Sequence, residues 1–218
     1  MASLIRHDGP MLRASDREEN SCAIVLAAGS GSRFVGGTHK LLAILRGRPV
    51  YQWAVQAVLD AGFAHVVVVT GAAELELPDT VTRAHNARWA EGQATSLQRG
   101  LAAAVELDVA SVVVGLGDQP FVTSAAWRAV ASSSADIAVA SYGGVRANPV
   151  LLRRNTWPLL PTEGDHGARS VMARRPELVV DVACDGSPAD IDTMEDLQQW
   201  NSSTNSLSTD PSNRPGRC

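Results

Sequence analysis

Among the 218 residues of this chain the positive charges comprise eighteen arginines and a single lysine, Lys40. A lone lysine marks a place where a compact ammonium on a flexible stem serves and a planar guanidinium does not. It lies shortly after the most glycine-rich stretch, Leu26-Ala27-Ala28-Gly29-Ser30-Gly31-Ser32-Arg33. Small residues let backbone N–H groups approach an anion, and Arg33 and Lys40 add charge, so this stretch reads as a phosphate cradle. It is neither the dinucleotide fingerprint nor GxxxxGK[ST]. Asp118, in Gly117-Asp118-Gln119-Pro120, follows an apolar run. A carboxylate there suits Mg²⁺ (or Mn²⁺) shared with triphosphate oxygens; the plainer reading is a turn Asp before Pro. One monodentate carboxylate leaves an ion mobile, so a second ligand is sought in Asp190-Ile191-Asp192-Thr193-Met194-Glu195-Asp196. Asp192 is the choice and Asp190 its rival, while acidity at a helix start is the alternative use. Asn148 precedes Pro149, and Asp165 and Arg169 sit in a glycine-bounded loop. That acid and forked cation suit a polar phosphorylated ligand, or make an ordinary surface ion pair.

These residues need a scaffold, and the pattern supplies one. Apolar runs at 22–27, 65–70, 111–116 and 136–141 read as buried strands. Between them, Val50, Trp53, Ala54, Ala57, Val58 and Ala61 fall at helical spacing with Gly62 as the stop. Leu97, Leu101, Ala104 and Val105 repeat the pattern, and Thr123 opens a third helix with Trp127 and Val130 inward. Thr193 to Asp196 reads as a capping box before a helix carrying Leu197 and Trp200. Strands alternating with helices imply right-handed crossovers in a mostly parallel sheet, a three-layer α/β/α arrangement. Tyr142-Gly143-Gly144-Val145-Arg146 is a hairpin turn, expected to add antiparallel strands at one edge. Ligands of such sheets lie beyond the carboxyl ends of the strands. The chain is then one domain at 22–200, between a loose segment at 1–21 and a Ser/Asn/Pro-rich, disordered tail at 201–218.

Composition excludes other classes. A 45% apolar content supports a full core, and a 19% charged fraction argues against disorder throughout the chain. Net charge −4 offers no basic field for nucleic acid. The apolar runs are strand-sized, so none spans a bilayer. The first twenty residues are polar and mixed in charge, unlike a signal peptide. Cys22, Cys184 and Cys218 have no metal or disulfide spacing, nor do His7, His39, His65, His85 and His166 have ligand spacing. A cytoplasmic protein is the expectation.

The motifs together resemble a known family. Leu26 to Arg33 with Lys40-Leu41-Leu42 is similar to the opening motif of the molybdopterin nucleotidyltransferases, with Phe34-Val35 in place of a Met-Gly pair and about two extra residues before Lys40. Gly117-Asp118-Gln119-Pro120 and Asp190 to Asp196 resemble the metal-binding and C-terminal motifs of the cytidylyl branch, as does Ala28. Residues 86–101, Asn148 to Leu152 and Gly164 to Arg169 extend the likeness, so that it covers roughly 22–200. The resemblance implies a Rossmann-like nucleotidyltransferase fold. It implies an enzyme moving CMP from CTP to the terminal phosphate of molybdenum-bound molybdopterin, with release of pyrophosphate and a molybdenum hydroxylase as recipient of the product. Arg33, Lys40 and Asp118 would be catalytic, and Asp118 and Asp192 would hold the metal. Residues 26–33, Lys40 and Ser96 would bind the nucleotide, Ser96 serving the base unless it caps its helix. Asn148, Asp165 and Arg169 would face the acceptor, and Trp89 would pack rather than stack. The alternatives are a sister transferase using GTP or another phosphorylated acceptor, and a non-catalytic module that carries the pterin.

Overall fold

The computed structural model describes residues 20–34 and 37–202. Most of the expected N-terminal segment and tail, and Val35–Gly36 of the loop after Arg33, lie outside the described residues. In chain order the elements are β1 (Ser21–Ala27), β2 (Ile44–Leu45), β3 (Arg48–Pro49), α1 (Val50–Ala61), β4 (His65–Thr70) and β5 (Thr82–His85). They continue with α2 (Gln93–Glu106), β6 (Ser111–Leu116), α3 (Ser124–Ala131), β7 (Ile137–Tyr142), β8 (Val145–Arg153), α4 (Arg169–Arg174), β9 (Val179–Ala183) and α5 (Met194–Ser202).

β1 is an uninterrupted apolar run because both its faces are covered. Cys22, Ile24 and Leu26 point into one core with Leu97 and Leu101 of α2. Ala23, Val25 and Ala27 point into a second core with Val58 of α1 and Trp127 and Val130 of α3. Seven strands form one sheet in the order β5-β4-β1-β6-β8-β7-β9. β5, β4, β1 and β6 are parallel, β8 runs against both β6 and β7, and β9 is parallel to β7. The domain is therefore a three-layer α/β/α fold with a mostly parallel, mixed sheet.

The turn chemistry works as the sequence implies. Gly143 and Gly144 both take positive φ, 59° and 88°, as a two-residue hairpin between right-twisted strands requires. Gly62 closes α1 in the left-handed conformation at φ 83°. The Thr123 hydroxyl accepts from the Ala126 amide and caps α3. Thr193 Oγ1 accepts from Asp196 N at 3.1 Å while Asp196 Oδ2 accepts from Thr193 N at 2.8 Å, a reciprocal capping box that starts α5.

Two expectations are corrected. The hairpin does not lie at a sheet edge: β8 is inserted between β6 and β7, and β9 closes that side by pairing with β7. Val105 does not face inward but is 49% exposed, because the inward stripe of α2 is already filled by Leu97, Leu101 and Ala104.

Gly100 shows how closely α2 lies on the sheet, since a Cβ there would sit 2.8 Å from Ile24 Cγ2 and 3.2 Å from Val69 Cγ2. Gly100→Val is expected to cost about 1–3 kcal/mol by overpacking. A urea titration should show a lower midpoint with an unchanged slope.

Candidate active site

The carboxyl ends of β1 and β6 lie side by side in register, Leu26 opposite Leu116. Each strand continues into a loop at the same rim, and between them opens a cleft of about 820 Å³, a volume suited to a small-molecule site. Every residue expected from the sequence lines it: the whole stretch 26–33, then Lys40, Ser96, Asp118, Asn148, Asp165, Arg169, Asp190 and Asp192.

Lys40 sits at the centre of the charged wall. Its Nζ donates to Asp118 Oδ2 at 2.5 Å and to Asp192 Oδ1 at 2.8 Å, and Arg33 Nη2 reaches Asp192 Oδ2 at 3.0 Å. The Lys40, Asp118 and Asp192 side chains are 12%, 17% and 22% exposed, against 77% for Arg33. Burial alone would pull the ammonium of Lys40 down; the charges and hydrogen bonds of Asp118 and Asp192 together outweigh it, so its pKa lies above the ordinary lysine value. That stabilisation is present at neutral pH and is lost only in alkali above the lysine range. Asp190 is not in this bridge. Its carboxyl is pushed up by burial first and by the charge of Asp118 second.

The glycine loop is shaped by the lysine itself. Gly31 has φ +63° and a Cβ there would lie 2.9 Å from Lys40 Cγ, so only glycine fits against the lysine stem. His39 ties the loop from behind. Its Nδ1 accepts from Leu41 N, which leaves Nε2 as the donor to the Gly29 carbonyl at 2.9 Å. Lys40 thereby opens a 3-10 turn, Lys40–Leu42, and Leu41 packs into the core below.

Ser96 lies inside α2, not at its cap, because the helix begins at Gln93 and Gly92 offers no side chain. The capping alternative therefore falls. Its buried hydroxyl accepts from Asn86 Nδ2 at 3.0 Å, beside Thr95 Oγ1 at 2.9 Å. Trp89 packs against the core formed with α2 and also borders the cleft. The loop that carries Asp165 and Arg169 is stitched to the same region: Ala94 N donates to Gly164 O at 2.9 Å, and Gly164 N to Glu91 O at 3.3 Å. Asp165 and Arg169 stand at the cleft wall without an ion pair to each other among the described residues. His166, for which sequence analysis found no role, also lines the cleft.

Asp192 is held from both ends of its segment. Ile191, fully buried, donates its amide to the Asp118 carbonyl at 2.9 Å. At the far end of α5, Arg46 donates through Nε and Nη2 to the Trp200 carbonyl at 3.3 and 3.2 Å, and Trp200 stacks on Phe121 with centroids 3.9 Å apart. Arg46 adopts φ 50°, uncommon for a side-chain-bearing residue, and its amide bonds Asn201 Oδ1 at 2.8 Å. Sequence reasoning missed His39, Arg46 and Gln119, since their roles depend on partners 10 to 155 residues away.

The donor set fits a hard divalent ion completed by phosphate. Asp118 Oδ1 is buried with no hydrogen-bond partner, the kind of polar atom that calls for a further ligand. Among the described residues no three His, Cys, Asp or Glu side chains group to enclose a metal, so Asp118 and Asp192 would share the ion with ligand oxygens and water, as Mg²⁺ commonly is. Among the described residues no helix is long and apolar enough to cross a membrane.

This parallel-sheet scaffold, with a glycine-rich loop facing two carboxylates across one cleft, defines an α/β nucleotidyltransferase domain. Residues 23–179 match the MobA-like NTP transferase domain, and the chain belongs to that family. The nicotine blue oxidoreductase of Paenarthrobacter nicotinovorans is 30% identical over 195 residues, covering 80% of this chain and 93% of that protein. The bifunctional enzyme IspD/IspF of Caulobacter vibrioides is 42% identical over 123 residues, covering 53% of this chain but only 32% of its own length. The crystal structure of Rv0371c from Mycobacterium tuberculosis H37Rv superimposes with TM-score 0.71 at 27% identity, covering 84% of this chain and 97% of that one. A manganese complex of Rv0371c gives TM-score 0.68 at 25% identity, covering 83% and 97%.

The bridge at Lys40 has a consequence for stability. Lys40→Met leaves Asp118 and Asp192 facing each other without their shared cation, so the variant should melt below wild type at low salt. Added salt screens carboxylate repulsion, and the difference should shrink as ionic strength rises. Melting curves from low salt to about 1 M salt check it; a gap independent of salt would mean that the loss is one of packing.

Proposed function

We propose that this protein is a cytidylyltransferase that moves CMP from CTP to the terminal phosphate of a molybdenum-loaded molybdopterin, giving the cytosine dinucleotide and pyrophosphate. The observation that carries the reading is the single cleft. It joins the anion-binding loop and the Lys40–Asp118–Asp192 bridge to a second wall bearing Asn148, Asp165 and Arg169. One wall suits a metal-bound triphosphate and the other a polar phosphorylated acceptor. Ala28 and the Gly117-Asp118-Gln119-Pro120 form favour cytosine as the base.

In this reaction an oxygen of the acceptor phosphate attacks the α-phosphorus of CTP, and the bond to the β-phosphate breaks with pyrophosphate as leaving group. The nucleophile is already an anion, so no general base or covalent enzyme intermediate is required; positioning and charge stabilisation supply the catalysis. Backbone N–H groups of 29–33 hold the triphosphate, and Arg33, exposed at the mouth, swings its guanidinium onto it. Lys40 places a charge beside the departing pyrophosphate. Asp118 and Asp192 would hold Mg²⁺ or Mn²⁺, which when bound neutralises triphosphate charge. Ser96, buried beside Asn86, serves the base. A molybdenum hydroxylase would receive the product.

A sister transferase is the second reading, favoured by the 42% identity to IspD/IspF over about half of this chain. It predicts turnover with CTP, or another NTP, and a different phosphorylated acceptor. A pterin-delivery module, or a redox activity like that named for the P. nicotinovorans relative, predicts no pyrophosphate at all.

Turnover with each of the four NTPs against molybdenum-loaded pterin, followed by pyrophosphate release and product mass, separates these outcomes. The proposal expects CTP to be preferred, and a cytosine dinucleotide mass. Asp118→Asn is expected to lower kcat by roughly 10²–10³, the size of losing one preorganised charge contact in a closed site; unchanged turnover in that variant would remove Asp118 from the machinery.

A further inference from the structure

The two walls of the cleft are joined by a buried side chain that neither motif reading assigns. Gln119 follows Asp118 and is only 5% exposed. Its Nε2 donates to the Pro188 carbonyl at 2.9 Å. The Pro188 carbonyl can only accept, so the amide nitrogen of Gln119 must face it. Its Oε1 consequently points the other way, where it accepts from Asn148 Nδ2 at 3.1 Å.

The same logic passes to Asn148. Because Gln119 Oε1 is an acceptor, Asn148 must offer its NH₂ there, and the carbonyl end of the Asn148 amide is left for a ligand. The backbone beneath is also fixed. Tyr142 Oη donates to the Asn148 carbonyl at 3.0 Å. The β7–β8 ladder shifts register between Val139 and Ala140, which pair with Val150 and Ala147 and leave Asn148 and Pro149 outside the pairing. Asn148 thus stands at the cleft with its rotation and its amide orientation both determined from below.

We propose that Gln119 is a positioning residue that presents Asn148 Oδ1 as a hydrogen-bond acceptor, so that the acceptor substrate is recognised here through a donor group, the N–H or NH₂ of a pterin, and not through its phosphate. This inference rests on the acceptor-side reading of Asn148 above, and adds to it the chemistry of the group recognised. A pterin ring, rich in N–H donors, meets that requirement; the hydroxyls of a sugar or polyol can donate too, whereas an ionised phosphate, which only accepts, cannot. The anionic end of the acceptor is then left to Arg169.

The test is a double-mutant cycle read by direct binding, with a fluorescent pterin bearing a phosphomonoester as the probe and CTP binding measured in parallel. Asn148→Leu and Gln119→Met should each weaken pterin binding by about tenfold or more, in the range of losing one hydrogen bond at a buried site, and leave CTP affinity within about twofold. In the Asn148→Leu background Gln119→Met should have no further effect, because it acts through Asn148. An additional loss in that background, an equal loss of CTP affinity, or no pterin binding by the wild type would each overturn the proposal. Asn148→Leu alone keeps it falsifiable should Gln119→Met not fold, since unchanged pterin affinity there also overturns it. A wild type that binds the pterin but releases no pyrophosphate from any NTP would sink the transferase reading and leave this relay standing.

Discussion

The site depends on one ammonium group. Lys40 lies between carboxylates that are 78 and 152 residues away in sequence, and it ties the first loop of the sheet to the fourth parallel strand and to the segment before the last helix. Two carboxylates brought this close repel strongly unless a cation sits between them. The rest of the rim is arranged to hold that cation in place. Gly31 yields its Cβ to the lysine stem, His39 fixes the turn from which Lys40 departs, and Ile191 hydrogen-bonds to the carbonyl of Asp118 itself. In the proposed function a divalent ion bound with the triphosphate would take over that role, its positive charge suiting the same two carboxylates.

The sheet topology explains why one cleft has two kinds of wall. The parallel strands β1 and β6 deliver a glycine-rich loop and a carboxylate at their carboxyl ends, the rim where ligands of such sheets lie. The antiparallel β8, inserted beside β6, brings a strand back along the same rim and carries Asn148 in from the opposite direction. Glycine contacts then bring the Asp165 loop to the start of α2: at Gly92 a Cβ would stand 2.6 Å from the Gly164 carbonyl and 2.8 Å from Asp165 Oδ1, so the two segments meet there without room for a side chain. The two walls of the cleft are joined by this contact and by Gln119.

Much of this is legible in the sequence, for identifiable reasons. Buried strands announce themselves as unbroken Val/Ile/Ala runs, so β1, β4, β6 and β7 stand out. Gly62, the Gly143–Gly144 turn and the Thr193–Asp196 box are local devices whose chemistry is contained in a few residues. The cleft residues carried type and spacing enough to be singled out, and the structure gathers all of them at one rim. Other parts were hidden. β5, with exposed Thr82 and Arg83 at its start, and β9, whose short Val-Val-Asp-Val-Ala run at a sheet edge is broken by Asp181, lack a continuous apolar signal. The insertion of β8 inside the sheet depends on long-range pairing that no local pattern records. His39, Arg46 and Gln119 matter through carbonyl groups and side chains remote in sequence, and a lone polar residue carries no mark of its future partner.

A structure of the protein with Mn²⁺ and a CTP analogue whose α,β-bridging oxygen is replaced by a methylene tests the central claim most directly. The account predicts anomalous manganese signal coordinated by Asp118 and Asp192, with Lys40 moved onto the phosphates lying along residues 29–33. Manganese bound elsewhere, with the lysine still bridging both carboxylates and the nucleotide outside the glycine loop, would contradict it.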